Sequence, residues 1–290
     1  MSSNPLLKSS RSYKIYVKLP SKNIYYKSDS LETSPNGEIG VKAMTATDDF
    51  LLKNPDALLN GDAIISLLKS CVPSVKKVED LVLPDVNALL LAIRYSSSGD
   101  NMKFNHKCDN CEHESEETVS IRQLLDMTTF VEDETKIEYD ADENEMFHIY
   151  LQPTPYVVSA NSGLMSYERA RVQQMLENNE IDDDKKRKLL SDIFDKMAKY
   201  QLKIVSSSIN QISILNKSSN EVENTVIDQN YIHEFVQQMP KSLVDEINEK
   251  VRKLNMVGVP KTLNHLCDNC GKEGELEVDV NPTNFFEENS

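Results

Sequence analysis

Tryptophan is absent from this 290-residue chain, and glycine occurs only 8 times. That scarcity argues against propeller, collagen-like and Gly-rich phosphate-loop architectures, which need such residues at recurring positions. Long apolar runs are missing as well. The longest, Ala88-Leu89-Leu90-Leu91-Ala92-Ile93, is far short of the roughly 18 apolar residues of a membrane span. Met1 to Arg11 is polar and carries no apolar signal core, so export by a standard route is not expected. Positive charge is the scarcer sign: 32 Lys and Arg stand against 47 Asp and Glu, a net charge of −15. Neutralising nucleic-acid phosphates takes clustered Lys and Arg, whereas the bases here are scattered. The one tight group, Lys185-Lys186-Arg187-Lys188, follows directly on Asp182-Asp183-Asp184. It reads as the solvated first turn of a helix, with acids at the positive end of the dipole. Nucleic acid is therefore not the expected partner; an acidic surface fits protein partners better.

Local patterns give a mixed series of elements. Tyr13 to Leu19 alternates as a strand and is stopped by Pro20, and Ile24-Tyr25-Tyr26 is expected to pair with it. Ser34-Pro35-Asn36-Gly37 signals a turn before a strand over Ile39 to Met44. Thr47 is the expected N-cap of a short helix carrying Phe50, Leu51 and Leu52. Helices are expected over Asp62 to Cys71, with Cys71 a buried core thiol, and from about Pro84 to Tyr95. Ser96-Ser97-Ser98-Gly99 ends the latter. Lys136 to Leu151 is strand-like around Phe147 to Leu151, and Pro153 and Pro155 close it. The pattern then turns helical from Ser166 to about Asn216, with a break near Asn178-Asn179. There Leu190, Phe194, Met197, Gln201, Ile204 and Ser208 recur at three- and four-residue steps. This stripe suits a helix packed on its own domain, the plainer reading, or a coiled-coil-like seam. Helices over Asn230 to Gln238 and Ser242 to Leu254 follow.

The chemistry lies in a repeat. Asn105-His106-Lys107-Cys108-Asp109-Asn110-Cys111 returns as Asn264-His265-Leu266-Cys267-Asp268-Asn269-Cys270, agreeing at six of seven positions. Each unit reads as a strand, a Cys-x-x-Cys knuckle and a returning acidic strand, and two such hairpins facing each other make a zinc ribbon. Zinc takes four ligands at tetrahedral corners, and each knuckle presents two sulfurs to one side of the ion. Cys108, Cys111, Cys267 and Cys270 are thus the expected ligands of one structural Zn²⁺. Four thiolates leave no position for water or substrate, so the centre is structural.

Rival readings are weaker. Disulfides are disfavoured without an export signal, and a redox Cys-x-x-Cys leaves the second pair unexplained. His106 or His265 can replace a thiolate, or His113 can join the first knuckle, but no second complete site assembles. His106 and His265 are expected beside the ligands or at the surface. A catalytic zinc needs an open position, and the five histidines form no His-Glu-x-x-His pattern. Asp48-Asp49 and Asp182-Asp183-Asp184 sit where helices begin and read as caps.

A zinc joining residue 108 to residue 267 staples both ends of a long insertion. Closing such a loop costs entropy only logarithmically more than a short one, and structural zinc supplies on the order of 10 kcal/mol. The expected fold is α+β. Residues 1–130 and 256–290 form a domain with N-terminal strands and a split zinc ribbon, and residues 131–255 form a strand-then-helical insertion lobe.

Three stretches resemble the baseplate proteins of T-even-type contractile-tailed bacteriophages, the hub subunit and hub-assembly family. They are Gly40-Val41-Lys42-Ala43-Met44-Thr45-Ala46-Thr47-Asp48-Asp49, the run from Leu83-Pro84-Asp85-Val86-Asn87 to Ser98-Gly99 before the first knuckle, and Val278-Asp279-Val280-Asn281-Pro282-Thr283-Asn284-Phe285-Phe286. The resemblance covers about residues 38–130 and 262–286 and matches the helical middle poorly. It implies a non-enzymatic structural or chaperone-like assembly protein whose partners are other baseplate or tail hub proteins. Its place would be the virion tail baseplate, or the host cytoplasm during assembly. The alternatives are a nucleic-acid-binding zinc ribbon, opposed by Glu112, Glu114, Glu116, Glu117, Glu273, Glu275 and Glu277 on the returning strands, and a zinc hydrolase. Phe285 and Phe286 either fold back on the ribbon or anchor a neighbouring protein.

Overall fold

The alternating N-terminal run forms β1 (Tyr13–Lys18), which pairs antiparallel with β2 (Glu38–Lys42) across the Ser34 to Gly37 turn. The structure, a computed structural model, describes residues 11–177, 182–278 and 280. Asn178, Asn179, Phe285, Phe286 and the acidic tail from Glu287 lie outside these residues. Ile24-Tyr25-Tyr26 is not a strand. Lys22 and Asn23 adopt left-handed φ angles of 50° and 67°, and the amides of Lys22, Ile24 and Tyr26 bond to carbonyls three residues back. The chain after Pro20 coils locally and has no free ladder to offer β1.

Helix α1 (Ala46–Leu52) begins two residues earlier than Thr47 suggested. Thr45 is the cap, its hydroxyl accepting from the Asp48 amide while the Asp48 carboxylate accepts from the Thr45 amide. A short helix that the pattern did not announce, α2 (Pro55–Leu59), follows with Asn54 as cap and Pro at its first position. Helix α3 (Asp62–Cys71) buries Ile64, Leu67, Leu68 and Cys71. Helix α4 (Leu83–Ser98) buries nearly every residue from Pro84 to Arg94, so it is the central rod of the first core. Its first turn carries Asp85, which accepts hydrogen bonds from the Ser21 amide at 2.9 Å and from the Ser21 and Tyr26 hydroxyls. Burial nonetheless pushes the Asp85 carboxyl up to about 6.

Hairpin β3 (Asn101–Lys107) and β4 (Glu114–Ser120) leads into α5 (Ile121–Asp126). Then come β5 (Thr135–Asp140) and β6 (Glu145–Leu151). Helix α6 (Tyr156–Glu177) starts ten residues before the expected Ser166, and α7 (Asp183–Ser207) runs back along it. The Tyr200 hydroxyl donates to the Val158 carbonyl at 2.7 Å, and Lys196 lies 3.4 Å from Glu168. Residues 209–216 are not helical but form β7 (Ile209–Asn216), paired with β6 and with β8 (Val222–Val226). The helical spacing of Ile204 and Ser208 ran into an isoleucine-rich segment whose branched side chains favour a strand.

The stripe on α7 is also displaced. Ile193 and Val205 are buried, whereas Phe194 is 64 % exposed and Gln201 faces solvent. Helix α8 (Gln229–Gln238) and α9 (Lys241–Leu254) complete a second cluster over the four-stranded antiparallel sheet β5-β6-β7-β8. Ile149, Ile209, Ile232 and Ile247 form its centre. The chain closes with hairpin β9 (Thr262–Leu266) and β10 (Glu273–Glu277), whose Leu276 rejoins the first core.

Where the chain passes between the clusters it is tied to itself. Thr129 N donates to the Gly258 carbonyl at 2.9 Å, Val131 N to the Pro20 carbonyl at 2.9 Å, and Leu83 N to the Thr154 carbonyl at 3.0 Å. Gly258, at φ 110°, packs between Pro20 and Pro84, where a Cβ would sit 3.3 Å from each.

Candidate metal centre

The two ribbon hairpins turn in the same way. In the first, Cys108 N donates to the His113 carbonyl at 2.9 Å and Glu112 N to the Cys108 carbonyl at 2.9 Å. In the second, Cys267 N donates to the Lys272 carbonyl at 3.0 Å and Gly271 N to the Cys267 carbonyl at 2.7 Å. The fifth position of each turn is left-handed, φ 56° at Glu112 and 66° at Gly271. Only Gly271 adopts this without a steric cost. The repeated sequence is thus a repeated backbone, which aims two sulfurs from each hairpin at one point.

The sulfurs meet there. Cys108 Sγ lies 3.8 Å from Cys270 Sγ and Cys111 Sγ lies 3.7 Å from Cys267 Sγ. All four are within 4.8 Å of one another. Zinc–sulfur bonds of about 2.3 Å in a tetrahedron put neighbouring sulfurs about 3.8 Å apart, whereas a disulfide needs about 2.05 Å. The distances fit a shared cation and not a covalent bond, and all five cysteines are free thiols.

Electrostatics points the same way. The Cys111 and Asn110 amides lower the Cys108 thiol. The Lys272 amide and the Asn110 side chain bring Cys270 down to about 6. At Cys267 the neighbouring Cys270 amide also pulls downward, but burial and the bonds to Cys108 and Cys111 outweigh it and carry the thiol to about 11. Four crowded sulfurs cannot all ionise unaided; a divalent cation removes the conflict.

The repeated asparagines have a place that spacing alone did not reveal. Asn110 Nδ2 donates to Cys270 Sγ at 3.6 Å, and Asn269 Nδ2 donates to Cys111 Sγ at 3.6 Å, each reaching the opposite knuckle. Their recurrence in the repeat was the available signal. His106 and His265 pack edge to face on each other across the two hairpins, ring centroids 4.7 Å apart and 68° inclined, with His265 Nε2 3.7 Å from Glu117 Oε1. His113 contributes its carbonyl to the first turn.

The other residues marked in the sequence lie apart from the sulfurs. Asp48 belongs to the α1 cap and also accepts from Ser70 Oγ at 3.0 Å, while Asp182 occupies the N-cap position of α7 without a capping bond from its side chain. Cys71 is fully buried, with Arg11 Nη2 3.3 Å from its sulfur; burial pushes the thiol up to about 11. No helix among the described residues is long and apolar enough to cross a membrane.

The family model described as T4 bacteriophage base plate protein matches residues 10–287, including the helical middle that the sequence motifs matched poorly. No curated protein and no solved structure matches the chain.

Proposed function

Because the chain belongs to the T4-type bacteriophage base plate family, we propose that it serves the tail baseplate hub as a non-enzymatic structural or chaperone-like assembly protein. It works through contacts with other baseplate and tail hub proteins, in the virion or in the host cytoplasm during assembly. The observation that carries this reading is the closed set of four sulfurs. Cys108, Cys111, Cys267 and Cys270 hold one structural Zn²⁺, and the tetrahedral spacing of 3.7 and 3.8 Å supports that assignment. Every ligand position is then filled by protein, so the metal fastens the fold and offers no site to a substrate.

The clasp divides the chain. Residues 1–130 and 256–290 make an α+β domain around α4 and the split ribbon, and residues 131–255 make the inserted lobe; the two apolar clusters support this division except at the start of α6, where Tyr156 and Ala160 pack into the first cluster. The exposed flank of α7, with Phe194 at its middle, is the surface that the lobe offers to neighbours.

Affinity capture of the tagged chain from phage-infected cells, with masses of the co-purifying proteins, tests the proposal. Recovery of baseplate hub proteins is the expected result. Turnover of a small molecule with no tail protein recovered would overturn it.

A further inference from the structure

A groove of about 640 Å³ opens where α4, the first half of α6 and hairpin β9–β10 converge. Leu58, Leu83, Leu90, Val259 and Val278 give it an aliphatic floor, Asn87, Lys261 and Glu277 add polar groups, and Gly163 lies on the α6 wall. Leu58, Leu83 and Ala160 pack on the first core yet stay only partly covered. This is concave apolar surface at the seam between the ribbon and the first helix of the insertion, and an occupant would remove it from water.

The position of the chain indicates what the occupant is. Val280 lines the groove and is the last residue the structure describes. Asn281-Pro282-Thr283-Asn284-Phe285-Phe286 follows directly. At about 3.5 Å per residue, Phe285 can travel no more than about 17 Å from Val280. Both rings can therefore reach the groove mouth. A cavity of about 150 Å³ holds one benzene ring, so the groove has room for two rings and the chain that carries them. A tether this short also gives the segment an effective concentration on the order of millimolar or above. An apolar segment of a separate protein has to compete with that.

We propose that Phe285 and Phe286 dock in cis into the groove between α4, α6 and β9–β10. There they complete the first core and fasten the start of the insertion to the ribbon. The inference does not depend on the hub assignment or on the metal.

The chain contains no tryptophan, so Phe285→Trp in the full-length protein introduces a single fluorophore. Its emission is expected to be blue-shifted, with acrylamide quenching several-fold weaker than for a free tryptophan amide. Gly163→Leu supplies the block. A Cβ at Gly163 meets nothing within 4 Å, and leucine suits a helix interior better than glycine. In the Phe285→Trp background, Gly163→Leu is expected to shift the emission to the red and raise quenching to the level of the free fluorophore. Ser159→Leu, on the same wall, should act alike and serves if the first variant fails to fold. Solvent-like emission from Phe285→Trp alone would overturn the proposal, as would protected emission that neither filling variant changes. Emission that is solvent-like in the isolated chain and turns blue only on adding purified tail complexes would assign the rings to a partner.

Discussion

Asn110 reaches across the ribbon to Cys270, its Nδ2 3.6 Å from a sulfur in the other half of the repeat. Groups that donate to a metal-bound thiolate offset its charge and orient it, and removing one typically lowers metal affinity about 10- to 100-fold. Asn110→Ala should therefore weaken zinc binding roughly 10-fold, read by competition with a chromogenic chelator. Asn269→Ala should weaken it similarly, because Asn269 makes the matching bond to Cys111. Unchanged affinity in both variants would show that the amides only fill space.

Metal analysis should return one zinc per chain, and either none or two would count against the four-sulfur site. Cys267→Ser should lower the stability of the whole protein, not of one loop, because it opens the clasp that joins the two halves of the ribbon. Urea unfolding followed by a probe in each apolar cluster can distinguish these outcomes. If only the ribbon probe responds, the clasp does not couple the clusters.

The ribbon was legible because its signal is a repeat: Cys108, Cys111, Cys267 and Cys270 identify one another at any separation. Helices α3 and α9 were equally plain, the first buried on the residues that show helical spacing and the second on the periodic apolar face Leu243, Ile247, Val251 and Leu254. What failed was local and short. Ile24-Tyr25-Tyr26 has the composition of a strand, but its conformation is set by left-handed Lys22 and Asn23 and by the pull of Tyr26 toward a carboxylate 59 residues away. Residues 209–216 continue an apolar spacing that fits either period until the neighbouring strand is known. The cross-bonding of Thr129, Gly258, Leu83 and Thr154 rests on long-range contacts that no local pattern encodes.

The displaced face of α7 can be checked with two neighbours. Ile193 is buried and Phe194 is not. Ile193→Ala should cost roughly 2–4 kcal/mol, whereas Phe194→Ala should cost less than about 0.5 kcal/mol in the isolated chain. Chemical denaturation of both variants decides. A large loss from Phe194→Ala alone would restore the stripe through Leu190, Phe194 and Met197 as the inward face.

Limited proteolysis should cut first near Asn178-Asn179 or in the turn at Ser218-Ser219-Asn220. The turn is exposed although Asn220 N donates to the Asn216 carbonyl at 2.8 Å and Asn216 N to the Glu221 carbonyl at 3.0 Å. Mass spectrometry of the first fragments reads the order. Early cleavage within residues 85–93, the buried centre of α4, would contradict the placement of the first core.

Asp85 gives the chain a pH dependence of unusual sign for a carboxylate. Its three hydrogen bonds, from Ser21 and Tyr26, favour the ionised form, but complete burial outweighs them and raises the folded pKa from 3.8 to about 6. The folded state then binds the proton more tightly than the unfolded state. The contribution is fully present below the unfolded value and is lost as pH rises through the folded one. A difference of this size corresponds to roughly 3 kcal/mol between acid and neutral conditions. Other carboxylates and the cysteine cluster respond to acid as well, so the wild-type curve alone is not diagnostic. Asp85→Asn keeps the shape and most of the hydrogen bonding while removing the titration, and every shared effect cancels in the comparison. Urea unfolding of both proteins at several pH values from 4 to 7 should show the stability of wild type falling relative to Asp85→Asn as pH rises, with most of the change between pH 4 and 6. Parallel curves would mean that Asp85 ionises as it does in water, and that its bonds to Ser21 and Tyr26 offset burial after all.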